Sequence, residues 1–159
     1  MSDIAIVRAD LSNEQQANDV LAMLDHYASH SMGQNRPLDE DVRARLLPGL
    51  REHPTTIALL AYRDDSPVGI ALCFRGFSSF KGKPLINIHD FAIHEDARGQ
   101  GVGRQLMEAV FELARELDCC RVTLEVAVEN EPAKQLYLKC GFEPGDPQAS
   151  AQWFWTKHL

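Results

Sequence analysis

The sequence predicts an α/β domain built on a mixed, mainly antiparallel sheet. Apolar, β-prone runs alternate with segments of helical period in the order β-α-α-β-β-β-α-β-α-β. Three central strands follow one another without an intervening helix, as a meander does. The third observation is the stretch Arg98-Gly99-Gln100-Gly101-Val102-Gly103, which lies where a strand, Leu85 to Ile93, gives way to a helix. In that helix Leu106, Val110, Leu113, Ala114 and Leu117 recur at spacings of three and four, the period of one buried face.

Taken in order, Ile4 to Arg8 reads as a short strand. Ser12 and Gln15 have the spacing of a capping box and open a helix to about Ala28. His26 and His30 stand one turn apart near its end, beside Asp25 and Ser29, and read as part of a solvated face. Residues 31–37 form a loop. A second helix runs from about Leu38, with Val42, Leu46, Leu47 and Leu50 inward and Pro48 bending or interrupting it. Thr56 to Tyr62 and Val68 to Phe74 form a hairpin across Asp64-Asp65-Ser66-Pro67. Arg75 to Pro84, with Gly76, Gly82 and Pro84, reads as a wide loop before the strand Leu85 to Ile93. After the glycine turn and its helix, Val122 to Val128 is a strand, and Glu131 to Lys139 is a short helix with Pro132 in its first turn. Trp153 to Thr156 is the last strand.

The 159 residues suit one domain spanning 1–159. No apolar run approaches the ~20 residues of a membrane span, and Met1-Ser2-Asp3-Ile4 lacks the basic and apolar regions of a signal peptide. A net charge of -7 argues against a nucleic-acid partner and suits a cationic small substrate. Cys73, Cys119, Cys120 and Cys140 lack metal-finger spacing and read as buried thiols of a reducing, cytoplasmic compartment.

The glycine turn carries the chemistry. The first amides of a helix have no intrahelical partner, and the helix dipole adds partial positive charge there. Glycine removes the side chains that would hold a phosphate away, and Arg98 adds a fixed charge. The turn is therefore a pyrophosphate cradle. It is not a P-loop, since Gly103-Arg104-Gln105 replaces Gly-Lys-Ser/Thr, and it misses a dinucleotide fingerprint by one residue in either frame. Arg98-x-x-Gly101-x-Gly103 resembles the acetyl-CoA signature of the GCN5-related N-acetyltransferase (GNAT) superfamily. That resemblance implies the GNAT fold with splayed central strands. Arg98, Gly99, Gln100, Gly101, Val102, Gly103 and Arg104 would then hold the pyrophosphate of acetyl-CoA.

Asn87-Ile88-His89-Asp90 places polar residues among apolar ones in the preceding strand. Alternation sends His89 and Asp90 to opposite faces unless a bulge re-aims one of them. A buried carboxylate needs a partner or a task, so Asp90 is either a structural hydrogen-bond acceptor or a substrate group. Phe77-Ser78-Ser79-Phe80-Lys81-Gly82 followed by His89-Asp90 resembles the diamine and thialysine acetyltransferase branch, in which an acidic pair holds a cationic amine. His89 stands where that branch carries glutamate.

Asn130-x-x-Ala133-x-x-x-Tyr137-x-x-x-Gly141-Phe142 resembles a further superfamily segment. There the asparagine contacts the coenzyme and the tyrosine hydroxyl lies near its sulfur. A tyrosine is a credible acid for a leaving thiolate, its free pKa of about 10 being near a thiol's; the alternative is a core aromatic with its hydroxyl at the rim. The resemblance implies direct acetyl transfer, with pantetheine paired along Phe91, Ala92 and Ile93 where this strand splays from 122–128. An amide there would stabilise the oxyanion, typically by ~3 kcal/mol. Glu125, read as mid-strand beside the cleft, Asp90 and His89 are candidates to accept the amine's proton, and no metal is required. Phe77 and Phe80 suggest a closed site for a small-molecule amine. The alternatives are a protein or peptide N-acetyltransferase and a non-catalytic acyl-CoA binder. Family analogy adds a homodimer.

Overall fold

A long run of β-prone residues from Thr56 to Ile93, broken only by tight turns, forms the centre of the computed structural model, which describes residues 3–144 and 157. The elements are β1 (Ile4–Arg8), α1 (Glu14–Ser29), α2 (Glu40–Glu52), β2 (Thr56–Arg63), β3 (Ser66–Ser78), β4 (Lys83–Ile93), a 3-10 turn (Glu95–Ala97), α3 (Val102–Glu116), β5 (Val122–Leu124) and α4 (Glu131–Lys139). The sheet order is β1-β2-β3-β4-β5. All neighbours are antiparallel except β4 and β5, which are parallel. This is the GNAT fold that the resemblance implies. The strand expected at Trp153 to Thr156 lies outside the described residues.

Alternation along the strands builds two cores. Ile57, Leu59, Ala71, Ile86 and Ile88 pack on one face against Leu106, Met107 and Val110 of α3 and Tyr137 of α4. Ala58, Leu60, Ile70 and Leu72 pack on the other against Val20, Met23 and Leu24 of α1 and Leu50 of α2. Leu60 and Ile70, paired across β2 and β3 and fully buried, each contribute about 1.5–3 kcal/mol.

Several boundaries differ from the sequence expectations. The cap of α1 is Asn13, whose side chain accepts from Gln16 N–H, and not Ser12; Ser12 instead donates to Asp10. Pro48 lies inside α2 without ending it. The wide loop expected over Arg75 to Pro84 is a hairpin: β3 runs on to Ser78, pairs with Lys83, and turns at a left-handed Gly82. Phe77 and Phe80 lie on this hairpin, 68% and 100% exposed, so they do not close over the sheet. The strand expected to reach Val128 stops at Leu124 because its partner β4 turns away, and Val126 and Val128 are exposed.

Candidate active site

The departure of β4 begins at one residue. Ile88 pairs with Cys73 and Asp90 with Leu72, so His89 is an extra residue opposite β3, a bulge. The bulge resets the alternation. Before it, Ile86 and Ile88 belong to the α3 core; after it, Phe91 and Ile93 do, while Ala92 packs on the α1 side. Pairing with β5 is confined to Ile86, Asn87 and Ile88. Beyond the bulge, the edge of Phe91, Ala92 and Ile93 away from β3 has no strand beside it among the described residues.

Three elements converge on this free edge. A side chain at Gly103 in the first turn of α3 would stand 3.1 Å from Leu136 Cδ2 of α4 and 3.6 Å from Ile93 Cγ1. Tyr137 packs edge-on to Phe91 with centroids 6.1 Å apart. Gly101 caps α3 at φ 81° and Gly99 has φ 71°, both in the left-handed region that glycine tolerates without cost. The α3 ladder opens with Gln105 N–H to Gly101 C=O at 3.1 Å, so the amides of Val102, Gly103 and Arg104 precede it. The glycines thus divide their work. A side chain at Gly101 would meet open space, whereas one at Gly103 would meet the packed junction of α3, α4 and β4 rather than a phosphate.

The loop is braced from behind. Arg98 Nε donates to Ile93 C=O at 3.1 Å, tying it to the end of β4. Gln100 is held through its side chain, accepting from Arg63 at 2.7 Å and donating to Asp96 C=O at 2.8 Å. Arg63, at the end of β2, is therefore a positioning residue that a local reading of the motif does not reveal. Asn130 accepts from Ala133 N–H at 3.2 Å and caps α4, which sets the entry of the helix that carries Tyr137.

Tyr137 is 8% exposed, and its hydroxyl bonds to no group among the described residues. Burial first, and the nearby Tyr27 second, push its pKa up to about 12. Asp90 is half-buried and makes no hydrogen bond or ion pair among the described residues. Desolvation raises its pKa, opposed by the charge of His89. The hydrogen-bond alternative for Asp90 thus has no partner in the described structure. Tyr27 of α1 shares field with both Asp90 and Tyr137, and its hydroxyl approaches Met32 C=O at 3.4 Å. Sequence spacing gave no hint of it, since one tyrosine on a helix carries no pattern. His89 is exposed, with its ring against Phe74 at 5.6 Å. Glu125 is not mid-strand: it lies past the end of β5 and is exposed.

The acetyltransferase (GNAT) family matches residues 20–142, from α1 through Phe142. The chain belongs to the GNAT family. Members of the family are acetyltransferases with acetyl-CoA as cosubstrate, and this chain carries the family's fold around an open strand edge. A Bacillus subtilis protein named as a ribosomal protein bS18-alanine N-acetyltransferase is 45% identical over 58 residues, 36% of this chain and 38% of that protein. The thialysine N-epsilon-acetyltransferase of Bos taurus is 32% identical over 74 residues, 46% of this chain and 43% of that one. Each match spans less than half of either protein. Among solved structures, one described as a probable acetyltransferase superposes with a TM-score of 0.80 at 20% identity, covering 97% of this chain and 99% of its own.

Proposed function

We propose that this GNAT chain transfers the acetyl group of acetyl-CoA to a primary amine of a small molecule, polyamine-like or amino-acid-like, by direct attack in a ternary complex. The observation that carries the reading is the free edge of Phe91, Ala92 and Ile93, with Tyr137 against Phe91 and the first amides of α3 at its end. Pantetheine lies along that edge as an added strand. The pyrophosphate sits on the turn from Arg98 to Arg104, and Asn130 and Ala133 line the coenzyme from α4. An amide of Phe91 to Ile93 receives the thioester oxygen.

The amine loses its proton, its nitrogen bonds to the acetyl carbon, and the C–S bond breaks. Asp90 suits the first step, because its carboxylate is half-buried with no hydrogen-bond partner among the described residues, and desolvation makes it a stronger base than a free carboxylate. His89 lies next to it on the bulge, and Glu125 remains the alternative base. Tyr137 gives its proton to the leaving thiolate. Its raised pKa keeps the phenol protonated, and the same burial raises the basicity of a thiolate beside it, so the two stay matched. The reaction calls for no metal. A cytoplasmic homodimer completes the reading, with exposed Phe77 and Phe80 offering apolar surface to a second copy.

A second reading, acetylation of a protein or peptide amine, is favoured by those same phenylalanines, which leave the hairpin open instead of covering the sheet. The 45% identity to a protein named for an alanine of bS18 points the same way. Thiol release from acetyl-CoA against diamines, amino acids and alanine-initiated peptides separates the two. Turnover with diamines or amino acids alone supports the first reading and turnover with peptides alone the second. Coenzyme binding without thiol release from any of them leaves a non-catalytic binder.

A further inference from the structure

We propose that His26, His94 and Glu95 form a binding site for a zinc ion at the seam between α1 and the cosubstrate loop. His26 lies in the last turn of α1, His94 directly follows β4, and Glu95 opens the 3-10 turn that leads to Arg98. One nitrogen of each imidazole and one oxygen of the carboxylate all lie within 4.8 Å of one another. The imidazole rings stack with centroids 4.5 Å apart and planes at 18°.

The alternative is an ordinary ion pair between His26 and Glu95, and the geometry fits it poorly. His26 Nε2 is 2.9 Å from Glu95 Oε2, yet the contact lacks the direction of a hydrogen bond, and this nitrogen is buried with no other partner. A buried, undirected nitrogen beside a carboxylate oxygen is costly as it stands. A cation between them would satisfy both. An ion pair also gives no reason for a second imidazole to stack on the first.

The donor set selects the metal. Two imidazoles and one carboxylate suit zinc and disfavour magnesium and calcium, which take oxygen ligands. Three protein ligands leave a position for water. His94 also has a carboxylate behind it: its Nδ1 lies 3.6 Å from Asp96 Oδ2, and Asp96 N–H reaches the same nitrogen at 3.4 Å. Nδ1 accepts that amide N–H, so zinc binding through Nε2 takes the other tautomer, in which Nδ1 gains the proton, releases the Asp96 amide and donates to the Asp96 carboxylate. Closing the three atoms to zinc distances requires a rotation of one ring. His94 is half-buried, and beyond its stack on His26 only the long contact from Asp96 N–H holds it, so turning this ring costs one weak bond. His30, one turn beyond His26, is not part of the cluster; its Nδ1 faces Ser31 and the Met32 amide.

A zinc ion here would tie α1, which carries Tyr27, to the segment that enters the glycine turn. Calorimetric titration of the full chain with zinc chloride should give one site per chain in the micromolar range. His26→Ala, His94→Ala and Glu95→Gln should each weaken it about tenfold or more, since loss of an outer-shell partner alone costs ~10–100-fold. His30→Ala and the double variant Cys119→Ser/Cys120→Ser should leave it intact, and magnesium should not compete. Cobalt in place of zinc should show the bands of nitrogen and oxygen ligation without a thiolate charge-transfer band. No binding by the folded chain, unchanged affinity in folded His26→Ala and His94→Ala, or a thiolate band would each overturn the proposal.

Discussion

The two halves of β4 differ in almost every property that matters, although nothing but His89 separates them. The first half, Lys83 to Ile88, is paired with β3 throughout, and its last three residues are zipped on both edges. It pairs with β3 on one side and with Val122, Thr123 and Leu124 on the other, and Asn87 Nδ2 donates to Thr123 Oγ1 at 3.1 Å. Its Ile86 and Ile88 are buried. The second half keeps β3 but has no strand on its outer edge among the described residues, carries a half-buried carboxylate with a raised pKa, and faces α3, α4 and α1. One inserted residue turns a strand paired on both sides into one whose outer edge has no partner among the described residues. It does so by leaving backbone groups unpaired, which an added strand of ligand can satisfy.

Deleting His89 should break this contrast most severely. The deletion keeps the pairing with β3 and the faces of Asp90 to Ile93, which then alternate regularly after Ile88, but it removes the kink at which β4 parts from β5. Phe91 and Ile93 would stay on the α3 side and Asp90 on the α1 side, while the outer edge beyond Ile88 would run on beside the chain that follows β5. Acetyl transfer should fall below detection while a melting experiment shows the fold retained. Retained activity would mean that the bulge does not build the site.

Gly101→Val should come next. A β-branched residue at φ 81° is strained by roughly 1–2 kcal/mol, and its branches would fill the open space before the α3 amides. Calorimetry should find acetyl-CoA affinity reduced more than tenfold with the fold retained. Gly103→Ala should behave differently: contact with Leu136 at 3.1 Å should lower the melting point more than the affinity. Equal affinity losses in both variants would show that the two glycines share one task.

Tyr137→Phe keeps the ring against Phe91 and Phe142 but removes the proton. Turnover should fall about a hundredfold, on the scale of a positioned acid, with acetyl-CoA affinity and melting point little changed. A lowered melting point with near-normal kcat would make the hydroxyl structural.

Asp90→Asn should have a smaller kinetic effect, about tenfold, in KM for the amine or in kcat. It should also raise stability at neutral pH. A carboxyl whose folded pKa is raised binds its proton more tightly in the native state, so its contribution is most favourable at low pH. Stability is lost as pH rises from the ordinary carboxylate range through the raised value. The melting point of the wild type should therefore fall relative to Asp90→Asn over that window. Parallel curves would show that Asp90 is not held in a desolvating site.

Legibility in the sequence follows the range of the interaction that decides each feature. The glycine turn is readable because it rests on local demands: positive φ at Gly99 and Gly101, a strand before and a helix after. Tyr137 is readable through its spacing within α4. The bulge is not, because alternation has no symbol for an inserted residue, and so the faces of His89 and Asp90 stay open. The error over Val122 to Val128 has the same root. Its β-prone residues persist, but a strand needs a partner, and β4 has departed by Leu124. Gly76, Gly82 and Pro84 suggest a loop where β3 and β4 pair, since only Gly82 lies in the turn itself. Arg63 on Gln100 and His26 on His94 are long-range contacts that no local pattern announces.

The central claim, that the second half of β4 is completed by the cosubstrate, is tested most directly by amide hydrogen exchange with and without CoA. Peptides covering 89–93 and 99–105 should exchange more slowly in the complex, while 86–88, already paired on both edges, should not change. Protection confined to 99–105, or equal in both halves of β4, would contradict the claim and place the pantetheine arm elsewhere.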